Sequence, residues 1–421
     1  MIKRFTCHNF RNVQADKLEF EKINILIGPN NSGKSNFIKA LTFFSEMLKT
    51  KNDENLKTAF LNTIACNGWE HVLYKDAAKG TPIEFSWDID LNDEPVRYKL
   101  SFIVDKTVEN CNISLEELNS SENPKNYPKE FNYFRCHDYH SGKGNFSTAM
   151  KKGKRNRRLA FDISPKETII KQFKDILLSN KIIYGSEMIR VDIAKILYGL
   201  EKYFEDFSVY TTVKFNTQKM RELVDIKSLD TQLSLDGSNF VNIFSHYKAE
   251  DLLWKQNFEK KMKELIPDLQ SVDSVVAYDK LVFKLIYNDA QFDLSDVSDG
   301  TLKGLLLNIL INPIKDEEHS LFAIDEPETN LHPAWQKVIG NWILESSAFK
   351  QYFISTHSPD FLDVFTERFK YGDVAVFTFD IIKGKQTIKK IMYEDIKGEI
   401  GDWELGDLYR TSDPALGGWP W

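Results

Sequence analysis

Gly28-Pro29-Asn30-Asn31-Ser32-Gly33-Lys34-Ser35 fits the pattern G-x-x-x-x-G-K-[ST] without a gap. It follows a strand-like apolar run, Ile23 to Ile27, and precedes a helical pattern that starts near Asn36, which is the strand, turn and helix setting a phosphate-binding loop needs. Glycine at each end lets the backbone wrap a polyphosphate, and the loop N–H groups and the next helix's N-terminus point at the anion. In this pattern Gly28, Asn30, Asn31, Ser32, Gly33 and Asn36 belong to the cradle. Lys34 reaches the β- and γ-phosphates, and the Ser35 hydroxyl ligates Mg²⁺. The implied ligand is a nucleoside triphosphate.

A chain of 421 residues is long enough for two domains, or for one with a large insertion. Its formal charge of −7 argues against a protein coated in nucleic acid while leaving room for a local basic patch. The longest apolar stretch, Leu302 to Ile314, is interrupted by Lys303, Asn308 and Asn312 and is too short to span a bilayer. Met1-Ile2-Lys3-Arg4-Phe5 runs into a strand pattern without a long apolar segment, so neither a secretory leader nor a membrane location is expected. Cys7, Cys66, Cys111 and Cys136 form no C-x-x-C pair, as expected of reduced thiols in a cytoplasmic protein.

Along the chain, strand patterns at Ile2 to Phe10, Ile23 to Ile27, Ile83 to Leu91 and Tyr98 to Val104 surround one helix, predicting one lobe of a mixed sheet. Ser114 to Arg158 turns polar and turn-rich, predicting a long loop. From Lys166 to Leu269 apolar residues recur at helical spacing, as in Ile193, Ile196, Leu197, Leu200, Tyr203 and Phe204. That predicts a helical insertion. Strand patterns then return at Ser274 to Val276, Leu281 to Tyr287, Leu321 to Ile324 and Tyr352 to Ser355. Leu321-Phe322-Ala323-Ile324 reads as a parallel strand covered on both faces.

Directly after that run come Asp325 and Glu326, two carboxylates at a strand's C-terminal end, where α/β sheets present their ligand groups. With a phosphate loop in the same chain, Asp325 suits the Mg²⁺ shell and Glu326 suits a base that orients the attacking water. The order phosphate loop, Ser298-Asp299-Gly300-Thr301, Asp325-Glu326, then Phe353-Ile354-Ser355-Thr356-His357 resembles an ABC-type ATPase head. The resemblance implies an α/β fold, a mixed sheet with flanking helices carrying a mainly helical insertion. The head is expected at residues 1–115 and 280–421, with the loop and helical insertion at 116–279. It also implies an ATPase that uses ATP and Mg²⁺, with Glu326, His357 and Lys34 as catalytic residues. Ser298 and Gly300 would touch the γ-phosphate of ATP held by a second copy, closing an ATP-sandwich homodimer.

Asn9-Phe10-Arg11-Asn12 resembles the start of SMC/RecF-type heads, where an arginine at the Arg11 position faces the nucleotide. Asp325-Glu326-Pro327-Glu328-Thr329-Asn330-Leu331-His332-Pro333 resembles the OLD-type ATPases of bacterial genome maintenance and phage defence. Ser298-Asp299-Gly300-Thr301 resembles the ABC signature motif that opens a helix, with Asp299 and Thr301 standing where glycine and glutamine are usual. Only about forty residues follow Asp380, too few for the Toprim nuclease that OLD proteins append, so a nuclease partner is expected on another chain. The tail Gly406-Asp407-Leu408-Tyr409-Arg410, with Trp419 and Trp421 beyond it, resembles ATPases of two-gene defence modules. Trp403, Trp419 and Trp421 either dock on their own domain or fill a partner's pocket. Lys151-Lys152-Gly153-Lys154-Arg155-Asn156-Arg157-Arg158 could contact DNA or RNA phosphates. Three functions stay open: a defence ATPase coupled to an effector, a RecF-like DNA clamp in repair, and an ATP-stabilised scaffold holding a toxin-like partner.

Overall fold

Strand β1 (Ile2–Phe10) opens an antiparallel sheet and buries Ile2, Phe5, Cys7 and Phe10, with register shifts between Ile2 and Arg4 and between Cys7 and Phe10 interrupting the strict alternation. β2 (Val13–Glu19) pairs beside it, β3 (Ile23–Ile27) is buried along its whole length, and α1 (Lys34–Lys49) follows the phosphate loop. Helix α2 (Ala59–Cys66) precedes β4 (Ile83–Leu91), β5 (Glu94–Ile103), β6 (Asn112–Ser120), β7 (Asn132–Cys136), β8 (Lys143–Ser147) and β9 (Arg158–Asp162). The order β2-β1-β4-β5-β6-β7-β8-β9 makes one sheet of eight strands. Its inner face stacks Phe5, Phe85, Trp87 and Phe102 against Phe37, Phe43 and Phe44 of α1. Helices α3 (Ile169–Leu178) and α4 (Val191–Glu205) follow, with Phe204 against Phe44 and Trp87.

The structure, a computed structural model, describes residues 1–50, 58–91, 94–121, 131–136, 142–147, 158–178, 191–211, 214–226, 232–277, 279–314, 319–382 and 384–416. Side chains are described for all of these except 145–147, 158–160, 174–178, 191–193 and 415. Lys151 to Arg157, the Arg158 side chain, and Trp419 and Trp421 lie outside the described residues.

Strand β10 (Phe207–Thr211) leads to the short α5 (Thr217–Met220) and β11 (Val224–Asp225), then α6 (Phe240–Glu250) and α7 (Leu252–Leu265). Strands β12 (Ser271–Ala277), β13 (Lys280–Ile286) and β14 (Gln291–Asp293) form a small antiparallel sheet with β11. Helix α8 (Asp299–Ile311) is buried from Thr301 onward, with its polar Lys303 and Asn308 side chains donating to the Thr329 and Phe258 carbonyls. β15 (Leu321–Asp325), α9 (Pro333–Glu345), β16 (Tyr352–Ser355), α10 (Pro359–Asp363), α11 (Thr366–Lys370), β17 (Val374–Ile382) and β18 (Lys385–Ile391) complete a second sheet and its helices. The order of that sheet is β10-β15-β16-β3-β17-β18, with β15 and β16 parallel. Helices α12 (Tyr393–Ile400) and α13 (Leu405–Arg410) end the described chain, and Arg410 ties α13 to Asp360 and Asp363 of α10 at 2.9 Å each.

The chain divides into two compact units, residues 1–24, 28–207 and 377–390 in one, and 25–27, 208–376 and 391–421 in the other. These units cut the chain at other places than the expected head and insertion ranges. The polar stretch from Ser114 to Arg158, expected as a loop, instead carries most of β6 and the strands β7 and β8. Several of its described polar residues are paired. Glu116 is fully buried, accepting from the Tyr98 hydroxyl at 2.9 Å and the Ile169 N–H at 2.7 Å. Glu117 pairs with Arg135 at 3.1 Å, and Asn132 donates to Asn119 at 2.7 Å. Residues 116–279 therefore hold strands as well as the expected helices. No helix among the described residues is long and apolar enough to cross a membrane.

Candidate functional site

In the first unit, the loop from Gly28 to Ser35 is shaped by backbone that only certain residues tolerate. Gly28 and Gly33 have φ of +140° and +97°, and neither has room for a side chain. A Cβ at Gly28 would stand 2.2 Å from the Phe379 carbonyl oxygen, and one at Gly33 would stand 2.1 Å from Gln386 Nε2. Asn31, at φ +63°, takes the left-handed conformation that asparagine enters most readily. Asn30, Asn31 and Ser35 are exposed, whereas the Ser32 hydroxyl is buried without a protein partner. A buried polar atom of that kind is suited to a ligand oxygen. Helix α1 opens without a side-chain cap and without an acid in its first turn, which suits an anion at its N-terminus.

Lys34 begins that helix, and its buried ammonium donates to the carbonyls of Gly28 at 2.8 Å and Pro29 at 3.0 Å. Arg11, at φ +54° just after β1, donates to the Asn67 carbonyl at 2.7 Å and to Asn36 Oδ1 at 3.5 Å. Burial lowers the Arg11 pKa, against the opposing charge of Glu46. Asn36 in turn donates to Asn12 at 2.8 Å, so Arg11 joins the loop through Asn36. Two supports were not singled out from sequence. Gln386 donates to the Ser32 carbonyl at 2.6 Å, and the Asn12 amide packs under Gly33. Gln386 sits in an ordinary strand far along the chain, with no local signal to mark it.

In the second unit, parallel pairing sets Asp325 opposite Ser355, and the Ser355 hydroxyl donates to the Asp325 carboxylate. Glu326 leaves the strand at φ +52°, its N–H donating to the Ser355 carbonyl at 3.1 Å. Its carboxylate lies 3.4 Å from His357 Nε2 and accepts from the Thr329 hydroxyl at 3.3 Å. The His357 N–H donates to Glu328 at 2.8 Å, and the Thr356 N–H donates to Leu26 of β3 at 3.0 Å. Asp325, Glu326 and His357 are thus brought to neighbouring strand ends. Glu328 was not foreseen. Burial, aided by the charge of Glu326, pushes its carboxyl above the usual range.

Ser298 and Gly300 open α8. The Ser298 hydroxyl accepts from the Thr301 N–H at 3.2 Å and lies 3.0 Å from the Thr301 hydroxyl. Two turns of sequence signal were missed here as well. Lys303 is buried on α8 with its ammonium on the Thr329 carbonyl, and burial pushes it down to about 8 although Glu328 and Glu326 act the other way. Arg221 holds Asp299 at 2.8 Å and the Val297 carbonyl at 2.9 Å.

The family described as "AAA domain, putative AbiEii toxin, Type IV TA system" matches residues 23–363. The chain belongs to that family. Among curated proteins, Endonuclease GajA of Bacillus cereus (strain VD045) is 24% identical over 376 residues, covering 86% of this chain and 56% of GajA. The chain therefore spans about half the length of that relative. Among solved structures, an Smc head bound to the C-winged helix domain of ScpA aligns over 93% of this chain and 98% of its own, with a TM-score of 0.50 at 13% identity. The fold is that of an SMC-type ATPase head, and the chain, a member of the AAA-domain family just described, is similar in sequence to GajA.

Proposed function

We propose that the chain binds and hydrolyses ATP and, as a homodimer closed around ATP, couples nucleotide state to a separate effector in anti-phage defence. The observation that carries the reading is the Gly28–Ser35 cradle, with the Lys34 ammonium folded beneath it and the Ser32 hydroxyl buried without a protein partner. That geometry offers a polyphosphate the open N-terminus of α1 and a cation that can leave the Gly28 and Pro29 carbonyls for it.

The donors fit Mg²⁺, a hard cation that takes oxygen ligands and leaves several positions to water and phosphate. In the first unit the exposed Ser35 hydroxyl would hold it, and in the second the Asp325 carboxylate, steadied by Ser355, is a donor of the same hard-oxygen kind. When bound, the ion neutralises charge on the β- and γ-phosphates. Glu326 accepts the proton of the attacking water, and His357 at 3.4 Å keeps that carboxylate oriented. Thr329 fixes its other oxygen. Ser298 and Gly300, at the exposed start of α8, serve the second copy's γ-phosphate. Kinship with an endonuclease supports an effector that cuts nucleic acid.

Glu326→Gln keeps the shape and removes the base. Turnover is expected to fall ~10²–10⁴-fold while ATP stays bound, as read by phosphate release and by fluorescent-nucleotide binding. Lys34→Ala should instead abolish binding itself. Near-normal phosphate release by the Glu326→Gln chain would sink the assignment of the base.

A further inference from the structure

The start of α8 poses an electrostatic problem on the reading just given, and this inference rests on that reading. An N-terminus offered to a phosphate should carry no bare negative charge, yet Asp299, well exposed, is its first residue. Arg221 answers it. Its guanidinium lies 2.8 Å from the Asp299 carboxylate, donates to the Val297 carbonyl at 2.9 Å and to the Thr217 carbonyl at 3.2 Å. One side chain thereby grips the residues on both sides of Ser298.

The segment bearing Arg221 is itself braced. Asn216 caps α5 by accepting from the Lys219 N–H at 3.1 Å, and its own N–H donates to the Asp236 carbonyl at 2.9 Å. Lys219 pairs with the Asp236 carboxylate at 3.0 Å. Gly237, next in the chain, approaches so closely that a Cβ there would meet Leu306 of α8 at 3.0 Å. The segment is therefore anchored to α8 at its start, through Arg221, and at mid-helix.

We propose that Arg221 is a positioning residue for the Ser298–Thr301 segment, cancelling the charge of Asp299 so that the start of α8 can accept a second copy's ATP γ-phosphate. A purely structural role predicts little: an exposed ion pair contributes little to stability, and an acid in a helix's first turn is favourable by itself. The proposal differs in predicting that the harm of losing Arg221 comes from the carboxylate left behind.

The test uses the full chain with Arg221→Ala, Asp299→Asn and the pair, a double-mutant cycle. Arg221→Ala should cut ATP turnover at least tenfold and abolish ATP-induced dimers in the Glu326→Gln background, as seen by light scattering. Fluorescent-ATP binding to the phosphate loop should stay within twofold. Asp299→Asn should be near normal, and adding it to Arg221→Ala should restore turnover and dimers to within about threefold of the unsubstituted chain. If Arg221→Ala does not fold, Arg221→Gln keeps the stem and takes its place with the same expectations. Turnover unaffected by loss of Arg221, or a double variant as impaired as Arg221→Ala, overturns the proposal alone. A Glu326→Gln chain that binds ATP without ever dimerising overturns the dimer reading and this proposal with it.

Discussion

Lys303 and Glu328 are ionisable side chains held out of water close to the proposed base. Their burial has a measurable consequence. Lys303 sits near 8 in the folded chain and near its ordinary 10.5 when unfolded, so the unfolded chain takes up the proton first as pH falls. A group depressed in this way gives stability that is complete above the unfolded value and is lost as pH falls through the folded one. The loss amounts to roughly 3 kcal/mol for a shift of this size. Denaturant titrations at pH 7 to 10.5 should therefore show the native chain gaining stability relative to Lys303→Met as pH rises. Parallel curves would show that the ammonium is hydrated after all. The same residue contributes geometry. Thr329 gives its carbonyl to Lys303 and its hydroxyl to Glu326, so a displacement of α8 acts on the loop that orients the base.

At the level of elements, the phosphate loop makes the strictest demand on sequence. Gly28→Ala would drive a methyl group against the Phe379 carbonyl oxygen, at a φ that alanine avoids. The expected outcome is loss of fluorescent-ATP binding with a stability cost of ~1–3 kcal/mol, read from melting and from nucleotide titration. Full binding would mean that β17 can retreat without harm. This loop was legible because its chemistry is local: eight consecutive residues carry the pattern. Strands β1, β3, β4 and β16 were legible too, since their apolar runs match the elements residue for residue. β6 was not. Its buried Glu116 and Glu117 read as loop until Tyr98 and Arg135 are seen beside them, and nothing local announces those partners. Gln386 and Arg221 were hidden for the same reason, because their roles come from contacts made across hundreds of residues or through loops without a motif.

On the scale of the whole molecule, the two units are not successive stretches of chain. The polypeptide enters the second unit for Ile25–Ile27 alone, leaves it at Gly28, and returns only at Ser208. In the strand order those residues stand between β16 and β17. A fragment covering residues 208–376 consequently lacks a central strand and leaves the flank of β16 unpaired, an aggregation-prone edge. It is expected to show no cooperative melt by circular dichroism and calorimetry. A sharp transition in that fragment would mean that the second unit needs no contribution from β3.

The placement of β3 also sets a timetable for the ribosome. Ile23 to Ile27 is made roughly three hundred residues before its sheet neighbours, Tyr352–Ser355 and Val374–Ile382. At roughly 5–20 residues per second, the intervening chain takes on the order of tens of seconds to appear. Throughout that interval a newborn chain carries Ile23-Asn24-Ile25-Leu26-Ile27, apolar but for Asn24, without its sheet neighbours and directly ahead of its phosphate loop. Nucleotide binding is therefore a property acquired only after β16 and β17 have been made, and the nascent protein is a natural client for chaperones that shelter bare strands.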